Sequence, residues 1–148
     1  MSAEAYALLG DIVDDAELPV DEAVRPRIRA GAATSARDYL RALAERERLK
    51  AEFAAAMEGV DAVLTPTAAT GALRLSEVDQ ATTPALLTRW VNLLDLCGLA
   101  VPSGFTAEGL PTSLQIVCRS FDEATALRIG WAFQDATDWH ERAPPMAD

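Results

Sequence analysis

The chain of 148 residues has one lysine, Lys50, one histidine, His140, and two cysteines, Cys97 and Cys118. The cysteines are far apart and sit inside apolar runs. A disulfide framework or a zinc knuckle needs more Cys or His at short spacing, so the two read as reduced core thiols. No apolar run approaches the roughly 20 residues needed to cross a bilayer. The N-terminus MSAEAYALLGD lacks a basic segment, and Glu4 and Asp11 interrupt its apolar character, which argues against a secretory signal. Net charge is −10, and most arginines lie between Arg25 and Arg48 among acidic neighbours. Without a clustered basic face the chain is a poor partner for nucleic acid or an anionic membrane. A cytoplasmic protein is expected.

Half of the residues are hydrophobic, and the length fits one domain. Residues 2 to about 13 read as a helix, followed by the acidic connection Asp14, Asp15, Glu17, Pro19 and Asp21. That cluster lacks the alternating carboxylates and glycine of a calcium loop, so no metal is expected there. Asp21 fits an N-cap, with Pro26 in the first turn and Gly31 ending a short helix. Ser35 opens a longer helix to Glu58, with Asp38 at capping-box spacing and Gly59 as its stop. Its apolar residues, among them Tyr39, Leu40, Leu43, Phe53 and Met57, follow a period near 3.6, while Glu45–Arg48 stands in solvent.

From Asp61 the pattern changes. Asp61 to Thr65 reads as a short buried strand turned out by Pro66, and residues 68–83 as a loop. Pro84 to Cys97 is helix-permissive, with Gly98 as its cap. Leu99 to Pro102 is a second strand and Gly104 to Pro111 a turn-rich connection. Thr112 to Cys118 alternates, with Leu114, Ile116 and Cys118 on one face and Ser113, Gln115 and Val117 on the other. Ser120 and Glu123 are spaced as a capping box for a last helix, Asp122 to Thr137, whose apolar residues suggest burial over much of its surface. Pro144 and Pro145 close a polar tail. Short apolar strands between amphipathic helices imply an α/β sheet buried on both faces. Three strands make a thin sheet whose edges need covering, as in an incomplete domain.

Several fragments occur in order: Asp61-Ala-Val-Leu-Thr-Pro-Thr67, Thr88-Arg89, Val91-Asn92, Leu99-Ala-Val-Pro-Ser-Gly-Phe105, Gly109-Leu-Pro111, Ser113-Leu-Gln-Ile116, Phe121-Asp-Glu-Ala124 and Thr137-Asp-Trp-His140. Each is common alone; the succession over about 80 residues is not. It resembles the C-terminal portion of amidase-signature enzymes. The resemblance implies an α/β fold with short mixed-sheet strands layered with helices. It also implies that residues 1–148 form the C-terminal portion of an amidase domain, helical over 1–60 and strand-helix over 61–140.

The activity implied is hydrolysis or transfer at an amide carbon, with no cofactor. In the family a serine attacks, a second serine relays its proton, a buried lysine is the base, and a glycine-rich stretch binds the oxyanion. Lysine serves as a base only where desolvation lowers its pKa. Lys50 lies in Glu47-Arg-Leu-Lys-Ala-Glu52, a charged helix face, and Ser2, Ser35, Ser76, Ser103, Ser113 and Ser120 are scattered. No catalytic residue is therefore assigned, and His140 reads as a helix-end histidine. By resemblance Thr65, Pro66, Thr67, Arg89 and Asn92 border the substrate pocket. The alternatives are a strand end satisfied by its own hydroxyls for the threonines, and helix side chains tied to backbone for Arg89 and Asn92. Gln115 reads as structural.

The run Val91-Asn-Leu-Leu-Asp-Leu96 is similar to allophanate-hydrolase-like amidases. A glutamine-dependent amidotransferase A-type subunit must hold a zwitterion, and residues 80–91 contain no acid, which favours a general amidase. Three expectations stay open. The chain is an amidase piece inactive without an N-terminal partner portion and a small amide substrate; or a stand-alone binding or structural module that kept the fold; or a piece of an amidotransferase A-type subunit. The first predicts exposed apolar surface.

Overall fold

The computed structural model describes residues 1–79 and 84–143, so residues 80–83 of the expected loop and the Pro144-Pro145 tail lie outside the described residues. Two compact units are present, one from Met1 to Arg48 and the other from Leu49 onward, and the division falls within helix α3.

In the first unit α1 (Ser2–Asp14) packs on the short helix α2 (Arg25–Arg29) and the 3-10 turn Ala30–Ala33. Asp21 accepts from the Ala23 and Val24 amides in the turn before α2 but is not its N-cap, which is Val24, and Pro26 sits in the first turn of α2. Arg25 gathers the connection by donating to the carbonyls of Val13 (2.6 Å), Asp15 (2.7 Å) and Leu18 (2.7 Å). Gly31 does not end a helix in the left-handed conformation; it lies inside the 3-10 turn. A Cβ there would stand 2.1 Å from the Ser2 carbonyl oxygen, so glycine is required for close approach.

Helix α3 spans Ala36–Ala56. Its start shows why aspartate makes a poor capping box. Ser35 Oγ accepts from the Asp38 amide at 3.1 Å, but the short Asp38 side chain accepts from the Ser35 hydroxyl at 2.6 Å rather than from the Ser35 amide. After α3, the left-handed Gly59 (φ +74°) makes the expected stop.

The second unit is a three-stranded sheet in the order β1 (Val63–Pro66), β3 (Pro111–Cys118), β2 (Cys97–Phe105), with both pairings antiparallel. β2 and β3 form a longer hairpin than the sequence suggests. Gly104 is part of β2, where a bulge after Pro102 shifts the register and puts φ at +141°. Helix α5 (Glu123–Asp135) covers one face, and the core there joins Val101, Ile116, Cys118 and Ala126. Gly130 permits the approach, its missing Cβ falling 2.6 Å from Leu99 Cδ2. Cys97 and Cys118 are register partners across the hairpin and both thiols are free. Burial raises both thiol pKa values.

Four expectations are corrected. First, the sheet is not buried throughout, because Leu64 on edge strand β1 is 56% exposed. Second, α5 buries only Ala126 and Gly130 fully, whereas Leu127 (60% exposed) and Trp131 (75%), one turn apart, face outward. Third, residues 84–97 are not one helix capped by Gly98. They form a 3-10 turn, Pro84–Leu87, then α4 (Arg89–Leu93), and the left-handed residue is Asp95 (φ +55°). Gly98 belongs to β2, where a Cβ would meet Val91 Cγ1 at 3.1 Å. Fourth, Ser120 does not cap α5; its hydroxyl donates to the Asp95 carbonyl, and Asp122 is the N-cap residue. Phe121 between them is left-handed (φ +58°) and 94% exposed.

Candidate functional site

The face of the sheet away from α5 carries the candidate site. Strand alternation sets it: Leu64 pairs with Ile116 on the α5 side, so Thr65 and its partner Gln115 point to the other. The ladder continues past Pro66, because the Thr67 amide donates to the Ser113 carbonyl at 3.1 Å. Thr67 therefore follows Thr65 onto the same face.

Gln115, only 4% exposed, ties this face to the segment before α4. Its Nε2 donates to Thr65 Oγ1 (3.0 Å) and to the Leu87 carbonyl (3.0 Å). The Leu87 carbonyl also accepts from Trp90 Nε1 at 2.8 Å, and the Trp90 ring leans on Phe53 with centroids 5.4 Å apart. These contacts hold α4 over the sheet and leave a hollow of about 350 Å³. Its polar lining is Thr67, Thr88, Asn92 and Gln115; Val91 and Leu96 supply apolar wall. Among the described residues no titratable side chain lines it. Thr88 Oγ1 is 3.3 Å from the Ala85 carbonyl, and Thr67 Oγ1 is buried without a hydrogen-bond partner among the described residues.

The structure thus brings Thr67 and Asn92 together and binds Thr65 to Gln115 beside them. Pro66, turned the other way, lines a second hollow of about 500 Å³ with Thr70, Ser103, Thr106 and Thr112. Arg89 is exposed on α4 and lines neither hollow. Gln115 is structural, as its sequence context suggests, and it also lines the site. Its inward position on an alternating strand was the only signal of that.

The residues considered for catalysis are engaged elsewhere. Lys50 is not simply solvated: its Nζ pairs with Asp95 Oδ2 at 3.1 Å, and its side chain is 30% exposed. Ser103 Oγ lies 3.5 Å from Thr112 Oγ1, and His140 Nε2 lies 4.0 Å from Glu141 Oε1. Among the described residues no three His, Cys, Asp or Glu side chains converge as a metal site, and no helix is long and apolar enough to cross a membrane.

A helix-faced antiparallel sheet with a hydroxyl- and carboxamide-lined hollow defines a layered α/β scaffold with a small-molecule-sized site. The chain belongs to the amidase family, whose profile matches residues 14–127. The A-type subunit of a glutamyl-tRNA(Gln) amidotransferase from Synechococcus sp. is 41% identical over 111 residues, 73% of this chain and 22% of that protein. The chain thus spans about a fifth of the length of such relatives. A crystal structure of an amidase superposes with TM-score 0.82 at 29% identity, over 91% of this chain and 33% of that one. Kluyveromyces lactis allophanate hydrolase superposes with TM-score 0.79 at 27% identity, over 89% and 22% respectively. The curated relatives include amidotransferase components, and the missing acid in residues 80–91 is no physical bar to that branch. A carboxylate facing a ligand can come from any part of a fold.

Proposed function

We propose that the chain is the C-terminal portion of an amidase-family protein and supplies one wall of its substrate pocket. Hydrolysis or transfer at an amide carbon then needs a serine nucleophile, a relaying serine, a lysine base and an oxyanion-binding stretch from the remaining portion. Thr65, Thr67 and Asn92 contribute the wall, with Pro66 and Arg89 at its margins. The observation that carries this reading is coverage: nearly the whole chain matches an amidase, yet that match occupies a third of the amidase.

The outward Leu127 and Trp131 on α5 support a piece that packs against more protein over a stand-alone module. The curated relatives favour an amidotransferase A-type piece as a second reading. Partners on this proposal are the remaining amidase portion and a small amide. The net charge of −10 speaks against nucleic acid and anionic membranes, and a cytoplasmic location fits.

A chimera tests it. The matching segment of a full-length amidase relative is replaced by this chain, and turnover of a primary amide is compared with the relative lacking that segment. Recovery of turnover in the chimera, with KM raised by Asn92→Ala, is the expected result. A soluble, folded chimera no more active than the deletion would refute it.

A further inference from the structure

Two nucleophilic side chains, Cys97 and Cys118, take no part in the candidate site, and the fold sets them opposite each other. We propose that they form a reversible dithiol pair, which a low-molecular-weight disulfide oxidises to a cross-strand bond that locks the open end of the β2–β3 hairpin.

Three observations carry it. Cys97 opens β2, Cys118 closes β3, and the two are direct register partners. Directly opposed residues of an antiparallel pair have Cα atoms about 4.5–5.5 Å apart, inside the roughly 4.4–6.8 Å that a disulfide spans. Both side chains face α5, because Cys118 belongs to the core there and Cys97 packs against that core. Beyond the pair, the Ser120 hydroxyl donates to the Asp95 carbonyl, so the strand ends are held together on the far side of the thiols as well.

The surroundings set the character of the bond. Cβ atoms of opposed residues stand about 4.5–5.5 Å apart, wider than the roughly 3.5–4.5 Å of a relaxed disulfide, so the link is of the strained, readily reduced kind. Cys97 is half-buried and Cys118 fully buried, which makes Cys97 the entry point. Its thiolate attacks the small disulfide, whose S–S bond breaks and releases one thiolate that takes up the Cys97 proton. The Cys118 thiolate then attacks Cys97 Sγ and releases the second, which takes up the Cys118 proton. Two protein thiols are thereby oxidised by two electrons, and the small disulfide is reduced to two thiols. Burial disfavours both thiolates. Glu123 and Asp122 near Cys97, and Asp122 and Asp61 near Cys118, add to this against the opposing Arg119, so an uncharged oxidant at mildly alkaline pH suits the test. Leu96 and Gly98, on either side of Cys97, line the hollow under α4, so the lock bears on its wall.

The full chain is equilibrated with bis(2-hydroxyethyl) disulfide and 2-mercaptoethanol at about pH 8, once folded and once in urea, then treated with iodoacetamide. The expected product is lighter by two hydrogens and carries no alkyl group. Cleavage after Glu108 should leave two fragments joined until they are reduced. The equilibrium should favour the bond about 30-fold more in the folded chain than in urea, and the oxidised chain should unfold at a urea midpoint about 1 M higher. Cys97→Ser should abolish both effects, and so should Cys118→Ala, which keeps the core apolar.

A preference within about threefold of the unfolded chain would overturn the proposal, because the native geometry would then not fit the bond. So would a mixed disulfide that stays on Cys97, a bond between two chains, or a midpoint that does not rise on oxidation.

Discussion

Replacing Gln115 with leucine removes the side chain that joins the sheet to the segment before α4. Two hydrogen bonds of 3.0 Å are lost, to Thr65 Oγ1 and to the Leu87 carbonyl. Each contributes roughly 1 kcal/mol net, for a total of about 2 kcal/mol. The larger penalty of a fully orphaned carbonyl does not apply, because Leu87 keeps the bond from Trp90 Nε1 at 2.8 Å. Equilibrium urea unfolding followed by tryptophan fluorescence measures the change, and Trp90 reports from the same carbonyl. With a slope of about 2 kcal/mol per molar urea, the midpoint should fall by about 1 M at unchanged slope. Amides of residues 85–93 should also exchange faster with solvent. A midpoint within about 0.3 M of wild type would refute the assignment of Gln115 as the tie between the two segments.

The remaining predictions concern backbone fit and charge. Gly31→Ala should destabilise the first unit by about 2–3 kcal/mol, because its Cβ meets the Ser2 backbone, and amide exchange in α1 measures it. Gly130→Ala should stay within about 1 kcal/mol of wild type, since the clash is with the movable end of Leu99 and alanine favours the helix; equal effects of the two would contradict this. Phe121→Asn should raise the unfolding midpoint, gaining about 0.5–1 kcal/mol by relieving an exposed left-handed phenylalanine. The Arg142 guanidinium, 2.8 Å from Asp138, lowers the Asp138 pKa. A depressed carboxyl pKa contributes stability that is present above the ordinary value and lost as pH falls through the lower one. The packing of Trp139 on Phe105 and under Arg142 should therefore persist to about pH 4 and loosen below it, with Asp138→Asn abolishing the transition. Trp139 ring NMR signals follow this, and loosening already at about pH 5 would count against it.

The regular elements are largely legible in the sequence. The 3.6 period and Gly59 delimit α3 to within two residues at either end, and the alternation from Thr112 to Cys118 assigns both faces of β3. The turns are less so, for a physical reason. A glycine needed for a left-handed φ and one needed for close approach look alike in sequence; Gly59 is the first kind, Gly31 and Gly98 the second. Left-handed positions also occur away from glycine, at Asp95, a residue type that tolerates the region, and at Phe121, which no propensity would select. Ser120 and Glu123 have capping-box spacing, yet a carbonyl from another segment takes the hydroxyl.

At the site, Thr67 and Asn92 emerge from the family resemblance. The link that brings them together runs from Gln115 to a carbonyl 28 residues earlier, and no local spacing encodes it. Pro66 and Thr67 separate onto different hollows because neighbours in a strand face opposite ways. Exposure of Leu127 and Trp131 was hidden by composition, since an apolar residue that awaits a partner reads the same as one in a core.

On the proposed function, the chain holds a pocket wall of an amidase-family protein without the groups that break the bond. The most direct measurement is ammonia or amine release by the purified chain alone on simple aliphatic and aryl amides. Release no faster than in buffer is predicted. Turnover that follows the chain through purification, and survives replacement of both Ser103 and His140, would contradict it.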